Sequence, residues 1–207
     1  MYNVLVVEDS KIAKDMVERM LSQSEDYNMV AAIENAANAA IICVRNKIDL
    51  ILMDVVTAGD ESGLEAAADI KQKYPSIKII IMTSMPEVSF MDKARAAGVE
   101  SFWYKEYGSE DLINVCDRTM NGEHVWPMEK PVIKVGDIDS VEFTDREVEV
   151  IRALTLGLKY EEIADQLYIS TNTVKFHIKN ILQKTGFHST LQLVTEVVSK
   201  RLILPKF

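Results

Sequence analysis

Five short apolar runs alternate with five segments of helical periodicity over the first 120 residues of this 207-residue chain. The runs cover residues 2–7, 27–32, 50–53, 77–82 and 101–104, and the helical segments cover residues 11–21, 35–45, 63–73, 87–97 and 109–120. Strands that alternate with helices in this way form a parallel sheet with helices on both faces. The alternation therefore predicts an α/β doubly wound fold with a five-stranded parallel sheet.

Polar side chains stand at the ends of four of these apolar runs. The first run ends in Glu8 and Asp9, and the third, fourth and fifth end in Asp54, Thr83 and Lys105. In an open α/β sheet the ligand crevice lies at the carboxyl ends of the strands. Carboxylates crowded there repel one another unless a hard cation such as Mg²⁺ binds between them. A hydroxyl and an ammonium at the same edge suit a phosphate-like anion.

The last third of the chain has a different pattern, which is helical throughout. Thr144 and Glu147 have the spacing of a capping box, and the first helix is predicted to run to Leu156. Further helices are predicted over residues 160–167, 171–185 and 189–200. Pro127, Pro131 and Gly136 indicate an irregular connection between the two parts. We therefore predict an α/β domain over residues 1–121, a linker over 122–140, and an all-α four-helix domain over 141–207.

Charge is divided unequally between these two parts. The chain has a net charge of −9, and residues 140–207 carry nine basic and eight acidic side chains, which leaves −10 on residues 1–139. In the third predicted helix of the C-terminal part, apolar residues fall on one face, and Lys175, Phe176 and Lys179 fall on the other. A helix with an outward basic and polar face is what a major-groove reader requires, although for an isolated helix a solvated charged face explains the pattern better. Because a turn and flanking helices accompany this helix in register, we predict double-stranded DNA as a partner.

The residues at the strand ends match a known family in order and spacing. With Glu8-Asp9, Asp54, Thr83 and Lys105, residues 1–120 resemble the receiver domain of bacterial two-component response regulators, a flavodoxin-like fold. The whole chain resembles the NarL/FixJ class. One departure is Ala58, where the family usually has proline.

This resemblance assigns a role to each residue of the site. It implies that a sensor histidine kinase phosphorylates Asp54, and that Thr83 and Lys105 bind the phosphoryl oxygens. It implies a Mg²⁺ ion held by Asp9, Asp54 and the main-chain carbonyl of Val56, with Glu8 acting through water. Thr83 and Phe102 match the family's switch residues, although a core aromatic explains Phe102 equally well.

The helical part resembles the LuxR-type helix-turn-helix domain. The matching residues are Thr144, Arg146-Glu147, Gly157-Leu158, Glu162-Ile163-Ala164, Leu167, Ile169-Ser170, Thr173-Val174-Lys175, His177, Asn180-Ile181, Lys184 and Gly186. The resemblance implies base contacts from Lys175, Phe176 and Lys179, and DNA-backbone contacts from Thr171, Thr173 and Asn180. A net charge of +1 and one reading helix are too little for tight specific binding by a single domain, so we predict a homodimer on DNA, with RNA polymerase as a further candidate partner. The apolar residues of the last helix are the candidate dimer face, although core packing accounts for part of them; they are Leu193, Val194, Val197 and Val198.

Two other classes of protein were weighed against this interpretation. A haloacid-dehalogenase-like phosphatase also uses an aspartyl nucleophile after a buried strand, but it needs a second acid two residues later, where this chain has Val56. A degenerate receiver that acts only as an interaction module would not need the complete set of acids. We therefore expect a transcription regulator rather than a turnover enzyme. With two cysteines, no apolar run long enough to span a membrane and no signal-peptide pattern, we expect it in the cytoplasm.

Overall fold

The computed structural model describes residues 1–59, 61–87, 89–106, 110–129 and 131–204. The chain divides into two units. The first unit comprises the described residues of 1–84 and 89–128, and the second comprises those of 85–88 and 129–207.

The first unit is built on a parallel sheet of five strands. These are β1 (Tyr2–Val7), β2 (Tyr27–Ile33), β3 (Leu50–Asp54), β6 (Lys78–Thr83) and β7 (Ser101–Tyr104), in the order β2-β1-β3-β6-β7. Two residue pairs, β4 (Val56–Thr57) and β5 (Glu61–Ser62), form a small antiparallel hairpin after β3. The central strands are apolar on both faces because helices cover the sheet on both sides. The predicted doubly wound α/β fold is confirmed.

Among the described residues of this unit, four α-helices connect the strands of the sheet and a fifth follows β7. They are α1 (Lys11–Leu21), α2 (Ala39–Arg45), α3 (Gly63–Lys73), α4 (Phe90–Ala96) and α5 (Leu112–Met120). Ser10 and Ser62 cap α1 and α3, since each side chain accepts a hydrogen bond from a backbone N–H three residues later. The predicted helix over 35–45 begins instead with a 3₁₀ turn, Ala36–Asn38, ahead of α2.

The starts of two other predicted helices differ from the structure or lie outside its described residues. Helix α4 begins at Phe90, whereas the sequence predicted residue 87. Glu87 belongs instead to the second unit, in which the Arg152 guanidinium donates two hydrogen bonds of 2.9 Å each to the Glu87 carboxylate. Val88, which lies inside the predicted fourth helix, is outside the described residues. Ser109, the predicted start of the fifth helix, is outside them as well.

The described residues of the second unit form a short hairpin, a 3₁₀ turn (Ser140–Glu142) and four α-helices. The hairpin is β8 (Lys134–Val135) and β9 (Ile138–Asp139), and the helices are α6 (Asp145–Thr155), α7 (Tyr160–Gln166), α8 (Thr171–Thr185) and α9 (Thr190–Ser199). The hairpin lies inside the segment that the sequence assigned to the linker, and Val135 and Ile138 are buried with the helices. The core is formed by residues from every helix and from the chain end, including Val150, Ile163, Val174, Ile181, Leu193, Leu202 and Ile203. The predicted four-helix domain is confirmed.

No helix in the described part of the chain combines the length and the apolar character needed to cross a membrane.

Candidate functional site

The polar residues at the strand ends meet at one edge of the sheet. Glu8 directly follows β1, Asp54 ends β3, Thr83 ends β6 and Lys105 directly follows β7. These four strands are neighbours, so their carboxyl ends lie side by side. Glu8, Asp9 and Asp54 each place a carboxylate oxygen within 4.8 Å of the others. The structure therefore brings the predicted acids together as one cluster, which we call the acidic pocket.

Lys105 is the positive charge of the acidic pocket. Its Nζ donates to Asp54 Oδ2 at 2.8 Å and also forms an ion pair with Glu8. The backbone N–H of Val55 donates to the other oxygen of Asp54 at 2.7 Å. Glu8 is fully buried, whereas the Asp54 side chain is 14% exposed. Of these two carboxylates beside Lys105, Asp54 is therefore the one that a reagent from solution can reach.

Burial dominates the protonation of Asp54. It is the main cause that raises the pKa of Asp54 to about 7, and the nearby Glu8 raises it further, while Lys105 and the Val55 N–H lower it in part. Burial opposes the charge on Lys105, but the two carboxylates hold the pKa of its ammonium above the ordinary value. Lys105 is therefore charged at neutral pH, whereas burial favours the neutral form of Asp54.

The acidic pocket fits a hard divalent cation by the chemistry of its ligands. Three carboxylates offer oxygen ligands, which Mg²⁺ prefers, and the exposed Asp9 leaves room for water ligands. A bound cation also relieves repulsion within the cluster and favours the ionised form of Asp54. Val56 lies two residues beyond Asp54, at the start of the β4–β5 hairpin. Its role as a carbonyl ligand remains a prediction, as do the individual roles of Glu8, Asp9 and Asp54.

Two further residues of the predicted site lie on β6 and β7. Thr83 is buried, and its carbonyl accepts a hydrogen bond of 2.9 Å from the backbone N–H of Lys105. Phe102 is also buried, and its ring packs edge-on against Tyr104 at a centroid distance of 5.0 Å. The position of Phe102 agrees with a core aromatic, and its role as a switch, like that of Thr83, stays a prediction.

Gly63 is a residue of this region that the sequence analysis missed. It is the first residue of α3, and its backbone N–H donates to the carbonyl of Val55 at 2.8 Å. A Cβ at this position would lie 1.8 Å from the carbonyl oxygen of Asp54. Only glycine lets the helix approach the backbone of the candidate phosphoacceptor so closely. The sequence signal for this close approach was a glycine in the first turn of α3, a place where most other residues are tolerated.

We expect Gly63→Ala to destabilise the first unit by at least about 2 kcal/mol, because the clash is with backbone that cannot rotate away. Gly98→Ala is the control. A Cβ there meets nothing within 4 Å, so only the left-handed backbone conformation is strained, at about 1 kcal/mol. Urea unfolding of both variants measures the difference. Equal losses of unfolding free energy would show that the close approach at Asp54 has no special weight.

Helix α8 of the second unit separates its buried and exposed residues as predicted. Val174, Ile178 and Ile181 are buried in the core. Lys175, Phe176 and Lys179 are exposed, and the Phe176 side chain, at 60% exposure, is a large apolar group facing solvent. The predicted backbone-contact residues Thr171, Thr173 and Asn180 are half-buried. The exposed basic face of α8 is the candidate DNA-binding surface.

The ends of α8 are fixed by local contacts. Ser170 caps its first turn by accepting a hydrogen bond of 3.1 Å from the Thr173 N–H, and Gly186 ends it in a left-handed conformation with φ +71°. Before this cap, Tyr168 is a non-glycine residue with a positive φ of 54°, and its side chain is almost fully exposed. Arg146 donates to the Leu167 carbonyl at 2.8 Å and holds the same turn.

An ion pair connects the C-terminal end of α8 to the start of α6. Lys184 Nζ donates to Glu147 Oε2 at 2.9 Å, and the same oxygen accepts the Thr144 N–H of the capping box. Burial would raise the pKa of Glu147, but the bonds from Thr144 and Lys184 hold the pKa below its ordinary value. The sequence indicated the capping box but not its partner, because the two lie 37 positions apart.

Part of the apolar face of α9 is packed in the core of the second unit. Leu193 and Val197 are fully buried in the core, so they are not available to a second chain. Val198 and Leu191 are exposed, and Val194 is half-buried. The candidate dimer face is therefore narrower than the sequence predicted.

Comparisons with known proteins identify a family for each of the two parts of the chain. The family described as the response regulator receiver domain matches residues 4–117, and the family described as bacterial regulatory proteins of the luxR family matches residues 141–197. The response regulator protein VraR of Staphylococcus epidermidis is 30% identical over 206 residues, which cover 97% of this chain and 98% of VraR. VraR of Staphylococcus aureus has the same identity and coverage.

Solved structures share the fold over nearly the whole chain. RcsB from Salmonella enterica serovar Typhimurium, solved bound to the promoter rprA with the phosphomimetic BeF₃⁻, has a TM-score of 0.65 and 21% identity, and covers 96% of this chain and 99% of its own. A structure of two RcsB dimers bound to two parallel DNAs has a TM-score of 0.66 and 22% identity, with 96% and 98% coverage. The chain belongs to the two-component response regulators of the NarL/FixJ class, with a receiver domain followed by a LuxR-type DNA-binding domain.

Proposed function

We propose that this chain is a transcription regulator that binds promoter DNA under the control of phosphorylation on Asp54. The observation that carries the proposal is the acidic pocket, in which a partly accessible aspartate lies between two acids and a buried lysine. The same chain carries an exposed basic helix face in a luxR-family domain. The first site accepts a signal, and the second acts on DNA.

The positions of the side chains support a phosphoryl transfer to Asp54. An ionised Asp54 oxygen attacks phosphorus in line, the bond to the donor breaks, and the donor group keeps the electron pair. With a sensor histidine kinase as donor, the leaving group is the imidazole of its phosphorylated histidine. Lys105, already 2.8 Å from Asp54, offsets negative charge on the transferred oxygens, and Thr83 donates its hydroxyl to them. Mg²⁺ held by Glu8, Asp9, Asp54 and the Val56 carbonyl would screen the repulsion between carboxylate and phosphoryl group.

The alternative of a haloacid-dehalogenase-like phosphatase lacks its second acid. Val56, the residue two beyond Asp54, is apolar and half-buried. It cannot protonate a leaving group or activate a water molecule. This favours a phosphorylated protein that persists as a signal over an enzyme that turns over a substrate.

On the DNA side, α8 enters the major groove with Lys175, Phe176 and Lys179 towards the bases. Thr171, Thr173 and Asn180 contact the DNA backbone. A net charge of +1 over residues 140–207 gives one domain little non-specific affinity, so we propose that two copies bind adjacent half-sites. RcsB, which shares the fold, has been solved as dimers on DNA. The regulator acts in the cytoplasm, with RNA polymerase as its downstream partner.

Sequencing of genomic DNA fragments bound by the full chain tests this function. The chain is compared with and without phosphoramidate and Mg²⁺, and with the Asp54→Asn variant. We expect a shared sequence with two half-sites about one helical turn apart, enriched more strongly by the phosphorylated chain than by the variant. Enrichment that is identical in all three samples would contradict control by phosphorylation. An absence of enrichment in every sample would contradict DNA binding.

A further inference from the structure

The chain after α5 returns along the outer edge of the receiver sheet. Residues Glu123–Trp126 form this segment, which we call the edge strap. The backbone N–H of Phe102, on the edge strand β7, donates to the carbonyl of Val125 at 2.9 Å. In return, the N–H of Val125 donates to Ser101 Oγ at 3.0 Å. The edge strap therefore satisfies hydrogen-bonding groups that an edge strand otherwise leaves open.

Side chains also hold the edge strap. Val125 is buried in the core beneath the sheet. Glu123 accepts a hydrogen bond of 2.8 Å from Arg118 Nε. The Trp126 ring stacks on Phe102 with a centroid distance of 6.3 Å and an interplanar angle of 24°. The Arg95 guanidinium lies over the Trp126 ring at 4.8 Å, a favourable cation–π distance.

Strand β7 joins the edge strap to the acidic pocket. On its inner side, Tyr104 pairs with Thr83, and the Lys105 N–H donates to the Thr83 carbonyl. Lys105 Nζ forms ion pairs with the carboxylates of Asp54 and Glu8. Phe102 precedes Lys105 by three residues and touches the edge strap through both its backbone and its ring. One strand of four residues therefore contacts the pocket at one end and the edge strap along its outer side.

We propose that the edge strap reports the phosphorylation state of Asp54, with Trp126 as the residue that links its position to β7. The inference rests on the proposed function. Phosphorylation replaces the single negative charge of the Asp54 carboxylate by about two on the phosphoryl oxygens, and these oxygens offer the Lys105 ammonium a new partner in place of Asp54. Lys105 is anchored to β7, and packed interiors transmit a displacement instead of absorbing it. Phe102 and the stacked Trp126 then shift together, at the start of the chain segment that leads to the second unit.

Trp126 fluorescence tests the link directly. The chain has two tryptophans, so the Trp126 signal is the difference between the emission of wild type and of Trp126→Phe. Both full-length proteins are treated with phosphoramidate and Mg²⁺, and intact mass records the adduct. We expect the difference spectrum to change in step with the adduct, and Asp54→Asn to show neither. If the adduct forms and the difference spectrum does not change, the proposal for the edge strap is wrong, but the proposed function is unaffected. A wild-type chain with no adduct overturns the proposed function and this inference together.

Coupling between two sites is reciprocal in binding free energy, so a loosened edge strap must alter the affinity of the acidic pocket for a phosphoryl mimic. Trp126→Ala removes the contacts that hold β7 in its present position, and we expect BeF₃⁻ with Mg²⁺ to bind about five times more tightly than to wild type. Trp126→Phe keeps a stacked ring and should bind BeF₃⁻ with an affinity close to that of wild type. Met128→Ala is the matched control, since Met128 is fully exposed two residues further on. Equal BeF₃⁻ affinities for Trp126→Ala, Met128→Ala and wild type, with all three folded by circular dichroism, overturn the proposal.

Discussion

Acetyl phosphate with Mg²⁺ should add one phosphoryl group to the wild-type chain and none to Asp54→Asn. Among the acids beside Lys105, Glu8 is fully buried and Asp54 is partly accessible, so Asp54 is the one that meets the phosphodonor. Lys105 remains in the variant, but the amide oxygen is too weak a nucleophile to attack phosphorus. Intact-mass measurement of both proteins gives the answer. Equal labelling of the variant would contradict the assignment of Asp54, and EDTA should prevent labelling of wild type.

The melting temperature of Asp54→Asn shows whether the variant loses only its phosphorylation or also its fold. Because burial raises the pKa of Asp54 to about 7, the fold favours the neutral carboxyl. The stability that this protonation contributes is fully present below the unfolded pKa of about 3.9, and it is lost as the pH rises through about 7. At pH 8 in EDTA, wild type therefore holds a buried carboxylate that the variant lacks. We expect Asp54→Asn to melt at a higher temperature at pH 8 and to lose this advantage at pH 4.

The second large effect is expected on DNA binding. Replacement of both Lys175 and Lys179 by alanine should weaken specific binding about 100-fold or more at physiological salt, because a lost base contact costs about 1–3 kcal/mol. Both side chains are exposed on the same face of α8, so their removal leaves the core intact. Fluorescence anisotropy with a labelled operator, taken from the fragment sequencing, measures the affinity at several salt concentrations.

Lys134→Ala with Lys200→Ala is the matched control for this pair. It removes the same two positive charges from the second unit, but from positions on β8 and directly after α9. If affinity depends on the net charge alone, both double variants will weaken binding by the same factor. A loss confined to the α8 pair identifies α8 as the helix that reads DNA.

Local signals explain which parts of the fold the sequence could predict. The bounds of α1, α3 and α8 agree with the sequence prediction, and each of these helices follows a serine whose side chain caps its first turn. The acidic pocket was also predictable, because the carboxyl ends of neighbouring parallel strands must lie at one edge. In both cases the deciding residues are close in sequence or are placed by the topology.

Features that depend on pairing between distant residues could not be predicted in this way. The hairpin β8–β9 has only two residues in each strand and is buried by helices that follow it. Residues 123–126 contain no strand pattern, and they lie along β7 because Phe102 and Ser101 offer partners there. Gly63 was passed over for the same reason, since its importance arises from the carbonyl of Asp54, nine residues earlier.

Because its acids are crowded, the acidic pocket links the stability of the fold to whether a cation or a proton is bound there. Glu8, Asp9 and Asp54 repel one another, and Lys105 forms ion pairs with two of them, Glu8 and Asp54. A cation or proton that relieves this repulsion binds the folded state better than the unfolded one, so it raises the melting temperature by mass action. The ligand-free receiver at alkaline pH is then the least stable of its forms. A melting curve can therefore rank cations and phosphate mimics for this receiver before any kinase or operator has been identified.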